Sequence, residues 1–312
     1  MTSIMKNTHI LSVAFLVILS AICKARPANR TPNTISNSVY QVGDHTILDL
    51  VVDKLNRLQE EMDQLKQQQI ITLETREGTY SDSSVIQRIV GPPPLDCHEV
   101  RRREPRAESG VYMIKPRGQF DALPIYCEMD KEGFGWTVFQ RRKDGSEDFN
   151  RNWRDYSRGF GNVSAEFWLG NEFLHHLTMQ YQYILRVEVT DWFNRKYIAD
   201  YAGFEVDSKR NDFRMTVEEF LGGNATDALT YHSGSKFTTT DKDNDDSDGV
   251  NCAIVHHGGW WFQACDRSNL NGLYYHDGTY GGEWDDGIEW KETDGPPFYS
   301  YKETKMMLRP WE

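Results

Sequence analysis

The sequence predicts an α+β globular domain with a modest antiparallel sheet, and three observations carry that prediction. First, "GWTVFQRR" (Gly135 to Arg142) and "YILRVEVTDW" (Tyr183 to Trp192) alternate as strands do, the second placing Leu185, Val187 and Val189 on one face and Arg186, Glu188 and Thr190 on the other. Second, "NEFLHHLT" and "TVEEFLGG" have the length and pattern of short helices; the latter starts at Thr216 with Glu219 three residues on, a capping box. Third, everything from Cys97 onward is rich in aromatics and punctuated by glycine, with "KMMLRP" as a closing strand. Strands and helices scattered in this way, with long loops between them, suit an α+β arrangement.

The N-terminal third has a different character. Residues 1–25 read as a secretory signal, because Lys6 precedes the apolar run from Ile10 to Ile22 and small residues follow around Ala21 to Ala25. The run is shorter than the roughly 20 residues that span a bilayer, so no membrane insertion is expected. Residues 26–45, rich in Asn, Ser, Thr and Pro without periodicity, form a flexible lead-in. Over 46–76, Leu48, Val51, Leu55, Leu58, Met62 and Leu65 recur at alternating spacings of three and four, a heptad seam too narrow for a core-facing helix and suited to self-association through a short coiled coil. Residues 77–94 form a linker stiffened by Pro92, Pro93 and Pro94, and the domain proper occupies 95–312. There is no Gly-X-Y repeat, hence no collagen stalk.

The formal charge of −12 becomes more negative once Lys6 and Lys24 leave with the signal. Such a surface reverses the attraction that dominates binding to nucleic acid and anionic membranes, which excludes both as partners. Cys23 leaves as well, so four cysteines remain, an even number suited to disulfides in an extracellular compartment with three pairings open. Asn29, Asn162 and Asn224 head N-glycosylation sequons.

"FTTTDKDNDDSDGVNC" (Phe237 to Cys252) concentrates Asp241, Asp243, Asp245, Asp246 and Asp248 around one lysine. Alternating carboxylates in a turning loop are hard oxygen donors of the kind Ca²⁺ takes. An EF-hand is excluded: Asp246 stands where its glycine is required and Cys252 where its bidentate Glu is required. Between Cys252 and Cys265, Gly258-Gly259 permits tight turns, and Trp260-Trp261 is a pair more often found in a core than on a ligand platform. His175-His176 and His256-His257 do not form transition-metal pairs, since neighbours share neither a helix face nor a strand face. No nucleophile elbow, phosphate loop or zinc-hydrolase helix is present, and no enzyme activity is expected.

Seven segments in order, "SGVYMIKP", "GWTVFQRRKDGSEDFNRNW", "GFGNVSAEFWLGNEFLHHLT", "LRVEVTDW", "TDALTYHSGSKFTTTDKDND", "NCAIVHHGGWWFQACDRSNLNGLYY" and "MMLRP", closely resemble the fibrinogen C-terminal domain family. Within it the chain looks most like the heads of ficolins and of tachylectin-like lectins. The resemblance implies a small N-terminal subdomain closed by Cys97–Cys127, a central antiparallel sheet, and a loop-rich calcium and ligand lobe closed by Cys252–Cys265. It implies calcium as cofactor, held by the side chains of Asp243 and Asp245 and the backbone carbonyls of Ser247 and Gly249, although the stretch to Cys252 is one residue longer than the family's usual pattern. It also implies a cis peptide at Ala264–Cys265 and an acetyl-binding pocket built on backbone amides beside Cys265.

The pocket lining departs from the resemblance at several places. His256 stands where a lectin can have Tyr, Asp266 follows the second cysteine where His is usual, Trp284 replaces a common Tyr, and Pro296 or Pro297 falls at the last aromatic wall position, with Phe298 or Tyr299 beside it. The expected function is a secreted, oligomeric, calcium-dependent lectin recognising acetylated carbohydrates on microbial or host surfaces in innate immunity. The alternative is an angiopoietin-like signalling ligand for a cell-surface receptor; a clotting-type polymer ranks last, because the chain lacks a long coiled-coil rod.

Overall fold

The computed structural model describes residues 91–279, 285–291 and 299–311, together with the backbone of three two-residue strands, Gln41–Val42, His45–Thr46 and Ile86–Gln87. The expected signal segment, the coiled coil apart from Thr46, Asn29, Trp284, Pro296, Pro297 and Phe298 lie outside the described residues. The chain divides into two units, Met1–Ser81 and Asp82–Glu312. In the first, Gln41–Val42 pairs antiparallel with His45–Thr46, a small hairpin at the end of the segment expected to be a flexible lead-in.

The second unit is organised on one sheet. Its longer strands are β1 (Gly110–Ile114), β2 (Leu123–Met129), β3 (Gly135–Arg142), β4 (Tyr183–Thr190), β5 (Lys196–Ala202), β6 (Glu219–Gly223) and β7 (Glu303–Pro310). They lie in the order β6-β5-β4-β7-β3-β2-β1, each antiparallel to its neighbours. Ile86–Gln87 extends the sheet in parallel beside β1, with Ile86 opposite Val111, so part of the segment read as a linker is an edge strand. The last strand of the sequence is thus central: Met306 faces Val187 of β4, and Leu308 faces both Leu185 of β4 and Thr137 of β3.

The helices are α1 (Cys97–Arg103), α2 (Trp153–Arg158), α3 (Asn171–Thr178) and α4 (Cys252–Val255). Helix α3 is the predicted "NEFLHHLT", burying Phe173, Leu174 and Leu177. Helix α1, which the sequence reading did not single out, is capped by the buried Asp96, whose carboxylate accepts the Glu99 N–H at 2.8 Å and the Tyr183 hydroxyl at 2.9 Å. It lies so close to β3 that a Cβ on Gly135 would stand 2.0 Å from the Cys97 carbonyl oxygen.

Strand β3 occupies its predicted span, but it is buried almost throughout rather than on alternate residues. Its polar side chains are consumed by cover on both sides. Thr137 Oγ1 accepts the Cys97 N–H, while Gln140 and Arg142 donate to carbonyls at Leu270 and Gly272. In β4, Leu185, Val187 and Val189 are buried as expected from their spacing.

"TVEEFLGG" is not a helix. Met215–Thr216 pairs with Glu205–Val206, and Glu219–Gly223 is the edge strand β6. The local capping signal loses to tertiary partners: the Val217 N–H donates to Ser233 Oγ and the Glu218 N–H to the Ala202 carbonyl, so neighbouring segments claim the groups a first helical turn would use. Gly223, at φ +135°, also sits where a Cβ would be 1.9 Å from the Ile198 carbonyl oxygen.

Cys97 is bonded to Cys127 and Cys252 to Cys265, the pairing implied by the family resemblance. Trp168, Trp260 and Trp261 are buried, with Trp261 edge-on to Phe237 and Phe204. The tryptophan pair is therefore core.

Candidate functional site

The five aspartates of the acidic loop do different things. Asp241 Oδ1 accepts the backbone N–H of Trp153, the first residue of α2, at 2.7 Å and the Thr239 hydroxyl at 2.7 Å. Its work is at a helix N-terminus. Lys242, the loop's lone cation, turns away from the other aspartates, lying 3.9 Å over the Trp153 ring and pairing with Asp212. Asp243, Asp246 and Asp248 are exposed and Asp245 is half-buried.

Asp245 holds the loop together. Its Oδ1 accepts the Ser247 N–H at 3.0 Å and its Oδ2 accepts the Cys252 N–H at 2.9 Å. Burial raises its pKa, two backbone donors oppose the rise, and the adjacent Asp243 carboxylate adds to it. Asp243 contributes one long acceptance, from the Asp245 N–H at 3.3 Å. Among the described residues the Ser247 and Gly249 carbonyls accept no hydrogen bond, and Gly249 sits at φ +80°. Two neighbouring carboxylates and two uncommitted carbonyls are a donor set that fits a hard cation.

The acidic loop is fastened to the loop behind it at three points. Thr238 and Trp260 exchange backbone hydrogen bonds of 2.8 and 3.1 Å, the Asp246 N–H donates to the Gln263 carbonyl at 2.9 Å, and Asp245 grips Cys252. Cys252 opens α4 and is bonded to Cys265; the Ala264–Cys265 peptide is cis. The Gln263 N–H closes this turn on the Cys265 carbonyl at 2.8 Å. The N–H groups of Ala264, Cys265 and Asp266 donate to no acceptor among the described residues, and Ala264 is exposed.

Around these amides lies a polar cluster that the sequence reading only partly identified. His256 is buried and stacked on Phe262; its Nδ1 is 2.5 Å from the Asp285 carbonyl oxygen and 3.5 Å from Asp266 Oδ2. The Asp266 carboxylate is 1 % exposed and is paired through Oδ1 with Lys291 Nζ at 2.8 Å. Lys291 also reaches Asp285 Oδ2 at 2.5 Å. Burial, then repulsion from Asp266, pushes the Glu289 carboxyl up to about 8. His232, fully buried below, is held down to about 4 by burial; its Nδ1 meets the Trp261 carbonyl oxygen at 2.8 Å and its Nε2 accepts the N–H groups of Arg267 and Ser268 at 3.1 Å each.

The predicted pocket residues His256, Ala264, Cys265 and Asp266 are thus brought together; of the metal candidates, Asp245 is tied to them through Cys252 and its disulfide, while Asp243 contacts only its own loop. Asp285, Glu289, Lys291 and His232 went unnamed in the sequence reading. The one local signal for the first three is that "DDGIEWK" crowds three acids before a single lysine. Asn162 and Asn224 are both exposed, but the Asn224 side chain bridges to Ile198 and Lys196 on β5, while Asn162 Oδ1 closes a local turn onto the Ser164 N–H.

Residues 93–311 match the family model described as the fibrinogen beta and gamma chains, C-terminal globular domain. Human ficolin-3 is 43% identical over 216 residues, covering 69% of this chain and 70% of that protein. Mouse angiopoietin-1 is 39% identical over 241 residues, covering 77% of this chain and 47% of that protein. Of the fibrinogen gamma chains it resembles, the chain spans between 52% and 61%. The solved fibrinogen-like globe domain of human ANGPTL2 superposes with a TM-score of 0.67 at 41% identity, over 70% of this chain and 99% of that one.

Proposed function

The chain belongs to the fibrinogen C-terminal domain family, and on that premise we propose that it is a secreted, self-associating, calcium-dependent lectin that binds acetylated glycans on microbial or host surfaces in innate defence. It acts as a binding protein rather than an enzyme. The observation that carries the reading is the run of N–H groups at Ala264, Cys265 and Asp266 that meet no acceptor among the described residues, presented on a loop that the acidic segment fastens from behind. Backbone donors held in fixed positions suit a neutral acyl oxygen, which needs one or two hydrogen bonds and no counter-charge.

Asp243 and Asp245, with the carbonyls of Ser247 and Gly249, would hold the calcium, which when bound supplies the positive charge that two adjacent carboxylates call for. Asp245 then transmits order: it anchors Cys252, whose disulfide reaches Cys265 and the donor amides. His256 and Asp266 line the approach. A coiled coil over 46–76 would gather several shallow sites, and avidity would make up for weak single contacts.

A glycan array run in calcium and in excess EDTA tests this. Binding to acetylated sugars that disappears on chelation is expected; binding indifferent to EDTA overturns the calcium dependence, and the absence of any acetylated ligand overturns the lectin. The second reading, an angiopoietin-like ligand for a cell-surface receptor, is favoured by the 39% identity to angiopoietin-1 and the likeness to the ANGPTL2 globe domain. A pulldown from receptor-bearing cells that captures one surface protein, alongside a silent array, decides for it.

A further inference from the structure

Asp266, Asp285 and Glu289 each place a carboxylate oxygen within 4.8 Å of the others. Three such groups repel one another, yet two of them are almost wholly removed from water: the side chains of Asp266 and Glu289 are 1 % and 5 % exposed. Asp266 Oδ2 and Glu289 Oε2 are buried with no hydrogen-bond partner among the described residues, which is costly in a dry setting. The position between them is taken by Lys291, whose ammonium lies 2.8 Å from Asp266, 2.5 Å from Asp285 and 3.7 Å from Glu289. Its backbone is pinned as well: Ser268 and Asn269 pair with Trp290 and Glu289, and the Lys291 N–H donates to the Arg267 carbonyl at 3.0 Å. Among the described residues no other lysine or arginine nitrogen reaches these carboxylates, and the only other nitrogen base beside them is His256 Nδ1, 3.5 Å from Asp266 and 3.9 Å from Asp285.

We infer that Lys291 is a built-in cation that fills this carboxylate hole and thereby sets the charge class the adjoining pocket accepts. With Lys291 in place, Asp266 and Asp285 are spent on an internal ammonium, so neutral acyl groups can approach the free amides of Cys265 and Asp266 while cationic amines find the hole occupied. Without it, the Asp266 and Asp285 carboxylates, with the Glu289 carboxyl beside them, become a receptor for a small ammonium ion. The part of this inference that concerns acyl groups rests on the lectin reading; the part that concerns cations does not. The pairing also accounts for why a carboxylate can be tolerated at position 266, since a buried carboxylate lacking a partner would be strongly destabilising.

The test compares the full chain with Lys291→Gln, Lys291→Arg and the double variant Lys291→Gln/Asp266→Asn, using ethylammonium chloride as probe against sodium chloride at equal ionic strength. Binding is followed by ligand-observed NMR, and thermal midpoints are recorded in the same buffers. Ethylammonium is expected to bind Lys291→Gln at least about tenfold more tightly than the wild-type chain, the change that loss of one nearby repelling charge brings. It should raise the midpoint of that variant alone, and Lys291→Arg should exclude it as the wild type does.

Equal ethylammonium binding by wild type and Lys291→Gln, or none by either, overturns the inference. Should Lys291→Gln fail to fold, the double variant decides: recovery of the wild-type midpoint supports a charge pair, and continued failure overturns it. N-acetylglucosamine is titrated into the wild type alongside; its failure to bind counts against the lectin reading and leaves the ethylammonium comparison to stand alone.

Discussion

Asp245 Oδ2 and the backbone N–H of Cys252 are joined at 2.9 Å, so one carboxylate serves both the acidic loop and the first residue of α4. Asp243, two residues earlier, makes only the 3.3 Å contact within its own loop. The two aspartates should therefore separate in chelated protein. Asp245→Ala is expected to cost about 1–3 kcal/mol because two N–H groups lose their acceptor, whereas Asp243→Ala should be nearly neutral. In calorimetric titrations both should weaken calcium binding by more than about tenfold, since each removes a charged ligand. Matching thermal midpoints in EDTA would contradict the division.

Asp241 is the loop's helix residue. Replacing it with Ala should lower stability by about 1 kcal/mol, the usual worth of a capping carboxylate, because the Trp153 N–H loses its partner at 2.7 Å. Calcium affinity measured by calorimetry should remain within about twofold of wild type. A large loss of affinity would show that Asp241 belongs to the cation site after all.

His232 makes the domain sensitive to acid. Burial depresses its pKa from 6.5 to about 4; Asp266 and Asp227 pull it upward and Lys291 opposes them. A depressed value means that the folded state prefers the neutral ring. Its contribution is complete above pH 6.5 and is lost as pH falls toward 4, amounting to about 3 kcal/mol in full. Glu289 acts with the opposite sign, favouring the fold below its ordinary 4.5 and losing that contribution as pH rises through about 8. Denaturation followed from pH 7 to 4 should show a slope that His232→Gln flattens; an unchanged slope places the acid sensitivity elsewhere.

The two disulfides should also divide. Cys97–Cys127 closes a separation of 30 residues and Cys252–Cys265 one of 13, so chain entropy assigns about 3.6 and about 2.9 kcal/mol to them. Paired Ser substitutions at Cys97 and Cys127 should cost more stability yet leave ligand binding intact. The same change at Cys252 and Cys265 should cost less stability and abolish binding, because the donor amides lie beside Cys265. Denaturant melts and the glycan array measure the two effects separately.

What could be read in advance follows a physical line. Strand β4 and helix α3 were legible because their apolar residues recur at strand and helix spacing, Leu185, Val187 and Val189 in the one and Phe173, Leu174 and Leu177 in the other, and all six are buried. β3 kept its span but lost its alternation, since α1 and the Leu270 region cover it on both sides. "TVEEFLGG" misled because a capping box records what a segment would do alone, and here Ala202 and Ser233 outbid it. At the site, His256, Ala264, Cys265 and Asp266 could be named because the family resemblance implies a pocket beside Cys265, and all four sit within or next to that one cysteine-bounded loop. Lys291 and Glu289 arrive from a distant pairing, Ser268 with Trp290, that no local pattern encodes.

Strand β7 lies between β4 and β3, yet it comes from residues 303–310. Before those residues leave the ribosome, the segments on either side of the gap can form hairpins but have nothing to join them. Until then the growing chain offers two open sheet edges, each a template for pairing with a neighbouring copy. Arrival of the closing strand is a zipper event that ends this exposure, which makes these few residues the timekeeper of the domain's closure.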